Sequence, residues 1–401
     1  MKPTLFGYGL TTKAIAKKLG GGCTFFDDNC TETYTDADNN TIKPSSLFNP
    51  DESQLEVTTP SLKPNHPLIK SAKNLLSEYD YFAKEMPFSI WISGTNGKTT
   101  TTQMLTHILE HRGAVSGGNI GTPLAELSTD AAIWVLESSS FALHHTHVAS
   151  PNMYLLLPIT PDHLDWHGTE EAYAADKLRP LLTMKEGELA LIPKGLKVPK
   201  THAYVVEYDS DEFVSEYFNL DASKLNYKGA FLQDALLSLA MTRVLFDEAD
   251  YALLNNFTRD AHRQEEFFDA QGRLWVNDSK ATNLDAAIQA VKGYADRPIH
   301  LILGGDDKGV DLTPLFILLE TLNIMLYTIG ANNEKLLALA KKHNVKAIAS
   351  QNIQNAITHI DSKFSKEEVA LLSPAAASFD QFNSYKHRGE TFMDLVKNLK
   401  K

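Results

Sequence analysis

Short apolar runs alternate with amphipathic segments along most of the chain, a pattern typical of α/β proteins. The clearest stretch is the last third, where five short apolar runs, each interpreted as a strand, begin at Leu274, His300, Met325, Val345 and Val369. The segments between them, such as 333–343 and 353–364, space their apolar residues as helices do. We therefore predict an α/β domain with a mostly parallel sheet over residues 260–401.

The chain begins with a similar alternation. A strand, a Gly-x-Gly turn, a helix and a second strand are predicted in order over residues 4–26, as at the start of a βαβ nucleotide-binding fold. Thr12 stands where the dinucleotide-binding pattern Gly-x-Gly-x-x-Gly has its third glycine. Either a dinucleotide site or a half-site for one nucleotide therefore fits. Asp27 and Asp28 end the second strand, where they are either hydrogen-bond acceptors for a ribose or base, or ordinary turn residues. The polar, non-periodic segment 29–60 predicts a small, irregular domain.

The middle of the chain is organised around a glycine-containing loop. A buried strand, a loop and a helix are predicted in order over residues 90–110, and the loop reads Gly94-Thr95-Asn96-Gly97-Lys98-Thr99-Thr100. Glycines let backbone N–H groups surround an anion, and a helix N-terminus adds partial positive charge. Lys98 can reach terminal phosphates and the Thr99 hydroxyl can bind a metal. The loop predicts a nucleoside triphosphate site, in a variant form because Ile92 replaces the usual first glycine.

Polar residues follow two further apolar runs of the middle region. Glu137 ends the run 133–137, and His163 lies in the segment after the next one. Ligands collect at the carboxyl ends of parallel strands, so Thr99, Glu137 and His163 form a candidate Mg²⁺ set that bridges phosphate oxygens. The loop 117–123 presents Asn119 to a phosphate oxygen or a substrate carboxylate, unless it is a plain turn.

Composition limits the class of protein. The chain has 401 residues, 43% hydrophobic and 22% charged, which predicts a globular protein of two or three domains, with three preferred. A net charge of -12 argues against nucleic acid as a partner. Only two cysteines occur, which favours a reducing compartment, and no apolar run reaches membrane-spanning length. We expect a cytoplasmic enzyme without membrane association, and a monomer.

Four sequence segments together resemble the Mur ligase family across essentially the whole chain. They are the loop 94–100, Pro161-Asp162-His163-Leu164-Asp165 with Lys177 fourteen residues after the histidine, the segment 277–283 (Asn-Asp-Ser-Lys-Ala-Thr-Asn), and the segment 373–382. The resemblance implies three α/β domains. These are a Rossmann-like N-terminal domain binding the UDP substrate (1–83), a central P-loop NTPase-like domain with a parallel sheet (84–259), and a Rossmann-like C-terminal domain binding the acceptor amino acid (260–401).

The resemblance also implies an activity and its residues. The activity is ATP- and Mg²⁺-dependent addition of D-glutamate to UDP-N-acetylmuramoyl-L-alanine through an acyl phosphate, in peptidoglycan precursor synthesis. Lys98, His163 and Lys177 are the implied catalytic residues, and Lys177 is expected to become a carbamate that binds metal beside Thr99, Glu137 and His163. The other implied contacts are the loop 94–100 with Arg263 and Asp278 for ATP; Leu10, Thr11, Asp27, Asp28 and Asn119 for the UDP substrate; and Lys280, Thr282, Lys308, Ser378 and Tyr385 for D-glutamate.

The chain departs from the family pattern at three places. Family members carry Gly-x-His-Asn-x-x-Asn near the nucleotide, whereas residues 229–235 lack the His and both Asn, leaving Asp234 to take part of the role. Ala142 stands where the family often has Gln, and Tyr385 where it commonly has Phe. Two alternatives stay open. One is a folylpolyglutamate synthase, which shares the loop and the metal ligands but lacks the N-terminal nucleotide-binding domain. The other is a catalytically inactive nucleotide-binding or assembly protein, which the missing Asn residues and Ala142 favour.

Overall fold

Three sheets, each of six strands, organise the protein in a computed structural model that describes residues 2–258 and 260–399. Neighbouring strands run parallel except for one antiparallel pair at an edge of the first sheet and one at an edge of the third. Helices connect most of the parallel strands, as crossover connections require. The α/β class predicted from the hydrophobic pattern is confirmed.

The first sheet has the order β3-β4-β2-β1-β5-β6. Its strands are β1 (Thr4–Phe6), β2 (Thr24–Asp27), β3 (Tyr34–Thr35), β4 (Thr41–Pro44), β5 (Glu56–Thr58) and β6 (Leu75–Leu76), and its helices are α1 (Leu10–Lys18), α2 (Pro67–Ser71) and α3 (Glu78–Phe82). The prediction that residues 29–60 are irregular was wrong. They contribute three strands of two to four residues, which are too short to show a hydrophobic period.

The second sheet has the order β12-β11-β10-β7-β9-β8 and is wholly parallel. Its strands are β7 (Phe88–Ser93), β8 (Ala114–Gly118), β9 (Ile133–Glu137), β10 (Met153–Leu156), β11 (Leu189–Pro193) and β12 (Tyr204–Tyr208). Its helices are α4 (Lys98–Leu109), α5 (Ser140–His144), α6 (Leu164–His167), α7 (Glu170–Leu178), α8 (Asp211–Tyr217), α9 (Ala230–Phe246) and α10 (Tyr251–Asn255). Successive residues of β7 point to opposite faces, so Ile90 and Ile92 join one apolar cluster and Trp91 joins another.

The third sheet has the order β13-β14-β18-β15-β16-β17. Its strands are β13 (Glu265–Phe268), β14 (Leu274–Asn277), β15 (Ile299–Gly304), β16 (Ile324–Ile329), β17 (Lys346–Gln351) and β18 (Val369–Leu372). Its helices are α11 (Leu284–Gly293), α12 (Thr313–Leu319), α13 (Asn333–Lys342), α14 (Ile353–Asp361) and α15 (Tyr385–Lys397). The five strands predicted in this region are all present, and β13 is an additional antiparallel edge strand.

The chain divides into two compact units. The first contains the first two sheets, in the described residues up to 227 together with 231–257. The second contains residues 228–230 and the described residues from 258 onward, with the third sheet. The boundary predicted between residues 83 and 84 therefore falls within one compact unit, and the three-domain boundaries stay a prediction. Among the described residues, no helix combines the length and apolar character needed to cross a membrane.

Candidate active site

The glycine loop lies between β7 and α4, as predicted. Gly94 and Gly97 have φ of +142° and +80°, values that residues with a Cβ rarely adopt. Lys98 is the first residue of α4, and its Nζ donates to the carbonyl oxygens of Gly94 at 3.0 Å and Thr95 at 2.7 Å. Thr99 follows in the first turn of α4. The loop thus places a lysine and a hydroxyl at a helix N-terminus, the arrangement that binds phosphate groups.

Neighbouring elements pack tightly against this loop. A Cβ on Gly94 would lie 2.5 Å from the Leu157 side chain, and one on Gly97 would lie 2.6 Å from Asp234 Oδ1. The Thr95 hydroxyl donates to the Thr160 carbonyl at 2.9 Å, so its side chain is engaged within the protein. Asp234, which the sequence suggested as a substitute near the nucleotide, therefore does lie against the phosphate loop.

Glu137 is the last residue of β9 and is 2% exposed. Its Oε1 accepts a hydrogen bond from Asn119 Nδ2 at 2.6 Å, whereas its buried Oε2 has no hydrogen-bond partner. Burial of a carboxylate oxygen without a partner is costly, and a cation would remove the cost. This unpartnered oxygen is the observation in the structure that fits the predicted metal role.

His163 is the N-cap of α6 and has the left-handed φ of +53°. Its ring lies against Phe141, with the ring centroids 4.8 Å apart. Partial burial lowers the pKa of His163, and Lys98 and Lys177 lower it further, while Asp162 opposes them. A neutral imidazole, the form that binds metals, is therefore favoured.

Lys177 lies in the last turn of α7 and is only 1% exposed. Its Nζ donates to the Gly94 carbonyl at 2.7 Å and to Ser93 Oγ at 3.4 Å. Burial, and then the charge of Lys98, hold the pKa of Lys177 well below the usual lysine value. The residue thus touches the phosphate loop, and its amine is biased toward the neutral, nucleophilic form.

Within residues 2–258 and 260–399, no three His, Cys, Asp or Glu side chains are arranged to hold a metal by themselves. The predicted set includes only two groups of these types, Glu137 and His163. It takes its other ligands from Thr99, a modified Lys177 and the nucleotide. The donor chemistry therefore fits a hard cation such as Mg²⁺ that is shared with a phosphate.

A cavity of about 180 Å³ brings together three of the residues predicted to bind the UDP substrate. Leu10 and Thr11 reach it from the start of α1, and Asn119 reaches it from the loop after β8. Glu78, which the sequence analysis did not single out, also lines the cavity and is almost fully buried. Burial raises the pKa of Glu78 to about 7, against hydrogen bonds from the Ala125 and Leu124 amides.

Asp27 and Asp28 are not among the residues that line this cavity. Asp27 accepts backbone hydrogen bonds from Tyr8 at 2.7 Å and Asn29 at 2.8 Å. Asp28 pairs with His66 at 2.9 Å, and hydrogen bonds, first from Ser45, lower its pKa. Both carboxylates thus make local contacts at the end of β2, which agrees with the turn interpretation that the sequence left open.

In the second compact unit, Asp278 lies at the carboxyl end of β14 and is buried. Its carboxylate accepts from the Gln264 amide at 3.2 Å and from Ser373 Oγ at 2.8 Å. The prediction that Arg263 lies at the end of a strand was wrong, because residues 261–264 form a turn before β13. The unpredicted edge strand explains this error. Arg263 is half-buried, and its Nε has no hydrogen-bond partner.

Four predicted acceptor residues, Lys280, Thr282, Lys308 and Ser378, lie in loops at the carboxyl edge of the third sheet, and Tyr385 is the first residue of α15. Asp306 and Ala377 exchange backbone hydrogen bonds of 3.0 and 2.9 Å, which join the loop of Lys308 to the loop of Ser378. The segment of Lys280 contacts the start of α15 through a hydrogen bond of 2.8 Å from Ser279 Oγ to the Tyr385 carbonyl oxygen, and Lys280 Nζ lies 5.2 Å from the centroid of the Tyr385 ring. Lys308 and Thr282 are exposed, whereas Ser378 is buried.

Three glycines at the ends of β15 and β16 occupy positions where a side chain would clash with neighbouring atoms. Gly304, Gly305 and Gly330 have φ of +126°, +146° and +72°. A Cβ on Gly304 would lie 2.1 Å from the Ile329 carbonyl oxygen, and one on Gly330 would lie 2.6 Å from the Gly305 Cα. The backbones after β15 and β16 therefore touch directly.

Comparison with known proteins identifies relatives over the full chain. Residues 92–231 match the family model described as the Mur ligase middle domain. A protein of Campylobacter jejuni named UDP-N-acetylmuramoylalanine–D-glutamate ligase is 49% identical over 402 residues, which cover 100% of both chains. A protein of the same name from Helicobacter pylori is 46% identical, with 99% of both chains covered.

A solved structure supports the fold. The crystal structure of MurF ligase from Thermotoga maritima in complex with ADP superposes with a TM-score of 0.59 at 16% identity. The match covers 86% of this chain and 88% of that chain. At this level of identity the likeness concerns the fold alone.

Proposed function

The chain belongs to the Mur ligase family, and we propose that it joins D-glutamate to UDP-N-acetylmuramoyl-L-alanine with the hydrolysis of ATP to ADP and phosphate. The observation that carries this proposal is the 49% identity, over the whole chain, to a ligase named for that reaction. The match includes the first 83 residues, the region that a folylpolyglutamate synthase was expected to lack. The unpartnered oxygen of Glu137 and the intact Lys98 loop support a working enzyme over an inactive relative.

The first half of the reaction transfers a phosphoryl group from ATP to the substrate carboxylate. The amides of the loop 94–100 and the Lys98 ammonium would bind the phosphates and offset the charge that develops on them. Mg²⁺, when bound, supplies further charge neutralisation on the phosphoryl oxygens. Thr99, Glu137, His163 and Lys177 would hold it.

Lys177 can act as a ligand only after modification, because an ammonium would repel a cation. Its neutral amine would attack CO₂ to form a carbamate and release one proton, which converts a neutral group into an anion. The geometry that supports this step is its burial beside the Gly94 carbonyl, at the base of the phosphate loop.

The second half of the reaction is attack of the D-glutamate amine on the acyl phosphate, which forms the amide and releases phosphate. We propose that Lys280, Thr282, Lys308, Ser378 and Tyr385 bind D-glutamate, with cations matched to its two carboxylates. Leu10, Thr11 and Asn119 would bind the UDP substrate in the cavity, whereas Asp27 and Asp28 lie outside its lining and stay predicted contacts. Arg263 and Asp278 stay predicted ATP contacts.

The test supplies the protein with ATP, Mg²⁺, UDP-N-acetylmuramoyl-L-alanine and one amino acid at a time, and measures phosphate release and the mass of the product. We expect D-glutamate to support turnover and L-glutamate, L-lysine, diaminopimelate and L-alanine to support little. Lys98→Ala is the matched control, because it removes the phosphate contact and leaves both amino-acid and UDP-substrate residues intact. Preference for another amino acid would overturn the assignment.

A further inference from the structure

A buried carboxylate on α7 accepts hydrogen bonds from two neighbouring helices and from the residue that follows α7. Asp176 is 4% exposed, and its Oδ2 accepts from His144 Nδ1 at 2.9 Å and from His167 Nδ1 at 2.8 Å. Its Oδ1 accepts from Arg179 at 3.1 Å. A carboxylate can be buried without a large energetic cost only when its oxygens accept hydrogen bonds in this way.

The chain of contacts continues to a fourth side chain. His167 Nε2 lies 2.9 Å from Ser140 Oγ. In the neutral imidazole, with the Nδ1 proton of His167 directed to Asp176, Nε2 is the acceptor and the Ser140 hydroxyl donates. Phe141 stacks on His167 with an interplanar angle of 9° and also contacts His163.

A serine, a histidine and an aspartate in this order also occur in nucleophilic hydrolases. Here the His167 side chain is 0% exposed and Ser140 is buried, so no substrate reaches either group. The arrangement is therefore not a catalytic site. The helices that it joins indicate which residues it positions.

Each helix in the network is attached to one candidate metal ligand. Helix α5 begins at Ser140, three residues after Glu137. Helix α6 has His163 as its N-cap and His167 as its last residue, and on α7 Asp176 directly precedes Lys177. One carboxylate thus links the segments that carry Glu137, His163 and Lys177.

We propose that Asp176 is a positioning residue that sets the spacing of the metal ligands Glu137, His163 and Lys177 by binding His144 of α5 and His167 of α6. This inference rests on the proposed metal role of those three residues. Groups that orient metal ligands from behind are worth about 10- to 100-fold in metal affinity or activity. Asp176 acts through its neighbours and does not touch the metal or the substrate.

The test compares Asp176→Asn with Glu171→Gln, an exposed acid on the same helix. Asparagine keeps the shape but replaces one acceptor oxygen with a donor, so it cannot satisfy all the donors that face it. Mn²⁺ binding in the presence of a non-hydrolysable ATP analogue is followed by electron paramagnetic resonance, and the Mg²⁺ concentration for half-maximal turnover is measured beside it. We expect both to shift about 10- to 100-fold toward weaker binding in Asp176→Asn, with the KM for D-glutamate within about twofold of the wild type. Glu171→Gln should match the wild type.

A purely structural role would give a different result. In that case Asp176→Asn would melt at a lower temperature and yet bind Mn²⁺ as the wild type does, which would overturn the proposal. If Asp176→Asn does not fold, Ser140→Ala replaces it in the test, because it removes only the far end of the network. A severalfold weaker Mn²⁺ affinity of Ser140→Ala supports the proposal, and an unchanged affinity overturns it. The Mn²⁺ measurement uses no acceptor or UDP substrate, so its outcome is separate from that of the amino-acid panel.

Discussion

Glu78 should make the stability of the first compact unit fall as the pH rises. Its pKa is raised from 4.5 to about 7 by burial beside the cavity, so the folded protein holds this proton more tightly than the unfolded chain does. Between these two pH values folding takes up a proton at Glu78. The contribution of this group to stability is therefore highest below pH 4.5 and declines until the pH exceeds about 7. At about 1.4 kcal/mol for each pH unit, the total loss is about 3 kcal/mol.

Glu78→Gln isolates this effect. Glutamine is uncharged at every pH used, and its carbonyl oxygen can still accept from the Ala125 amide, which lies 3.4 Å from Glu78 Oε1. At pH 8 the variant should be more stable than the wild type by up to about 3 kcal/mol, and near pH 5 the advantage should largely disappear. A substitution that removes a buried charge would thus stabilise the protein only at the higher pH.

Urea unfolding followed by tryptophan fluorescence measures the difference. Three of the four tryptophans, Trp91, Trp134 and Trp166, lie in the same unit as Glu78. Glu186→Gln is the control, because it removes an exposed acid from the same unit. Curves of unfolding free energy against pH that run parallel for the wild type and Glu78→Gln would refute the reasoning.

Three further predictions concern lysines. Lys98→Ala should reduce turnover by 100-fold or more, since one preorganised charge contact contributes on the order of 3 kcal/mol, while circular dichroism shows the fold unchanged; equal turnover would exclude the phosphate role. Lys177→Ala should be inactive and partly rescued by a short carboxylic acid. The carbamate would be contradicted if the active wild-type enzyme, at high bicarbonate, showed an unmodified lysine both in its intact mass and in a crystal structure. Lys308→Ala should raise the KM for D-glutamate about tenfold or more with little change for ATP. Because the carboxylates of Asp306 and Asp307 hold that turn through backbone amides, a lowered melting temperature without a selective KM change would make Lys308 structural instead.

The sequence predicted the elements whose side chains repeat with a clear period. Five strands of the third sheet and helix α4 were placed to within three residues, because each buries a continuous apolar run or stripe. The first sheet was missed over residues 29–60, where the strands are short and mostly polar. Strand β13 was also missed, since Glu265-Glu266-Phe267-Phe268 does not alternate and its pairing with β14 is a tertiary contact.

The site divides in a similar way. Glu137 was predictable because the strand that carries it is apolar up to its last residue. Glu78 was not, because a glutamate in a short helix is usually solvated, and only the packing of the loop after β8 and of residues 124–125 buries it. The partners of Asp176 lie 32 and 9 residues away in sequence and form no motif, so only the fold brings them together.

The contact between the glycines after β15 and β16 bears on how this enzyme could be adapted to another amino acid. A side chain at Gly304 or Gly330 would push the two backbones apart, and one at Gly305 would clash with the Ala377 carbonyl oxygen, 2.3 Å from its Cβ. Most changes at these three positions would therefore be lost to misfolding before their effect on specificity could be selected. Directed evolution of the acceptor specificity should therefore proceed by exchanging exposed side chains of the proposed acceptor site, such as Lys308 and Thr282, on a fixed backbone. A library that spares the three glycines and randomises those two positions should retain far more folded members than one that randomises the loops throughout.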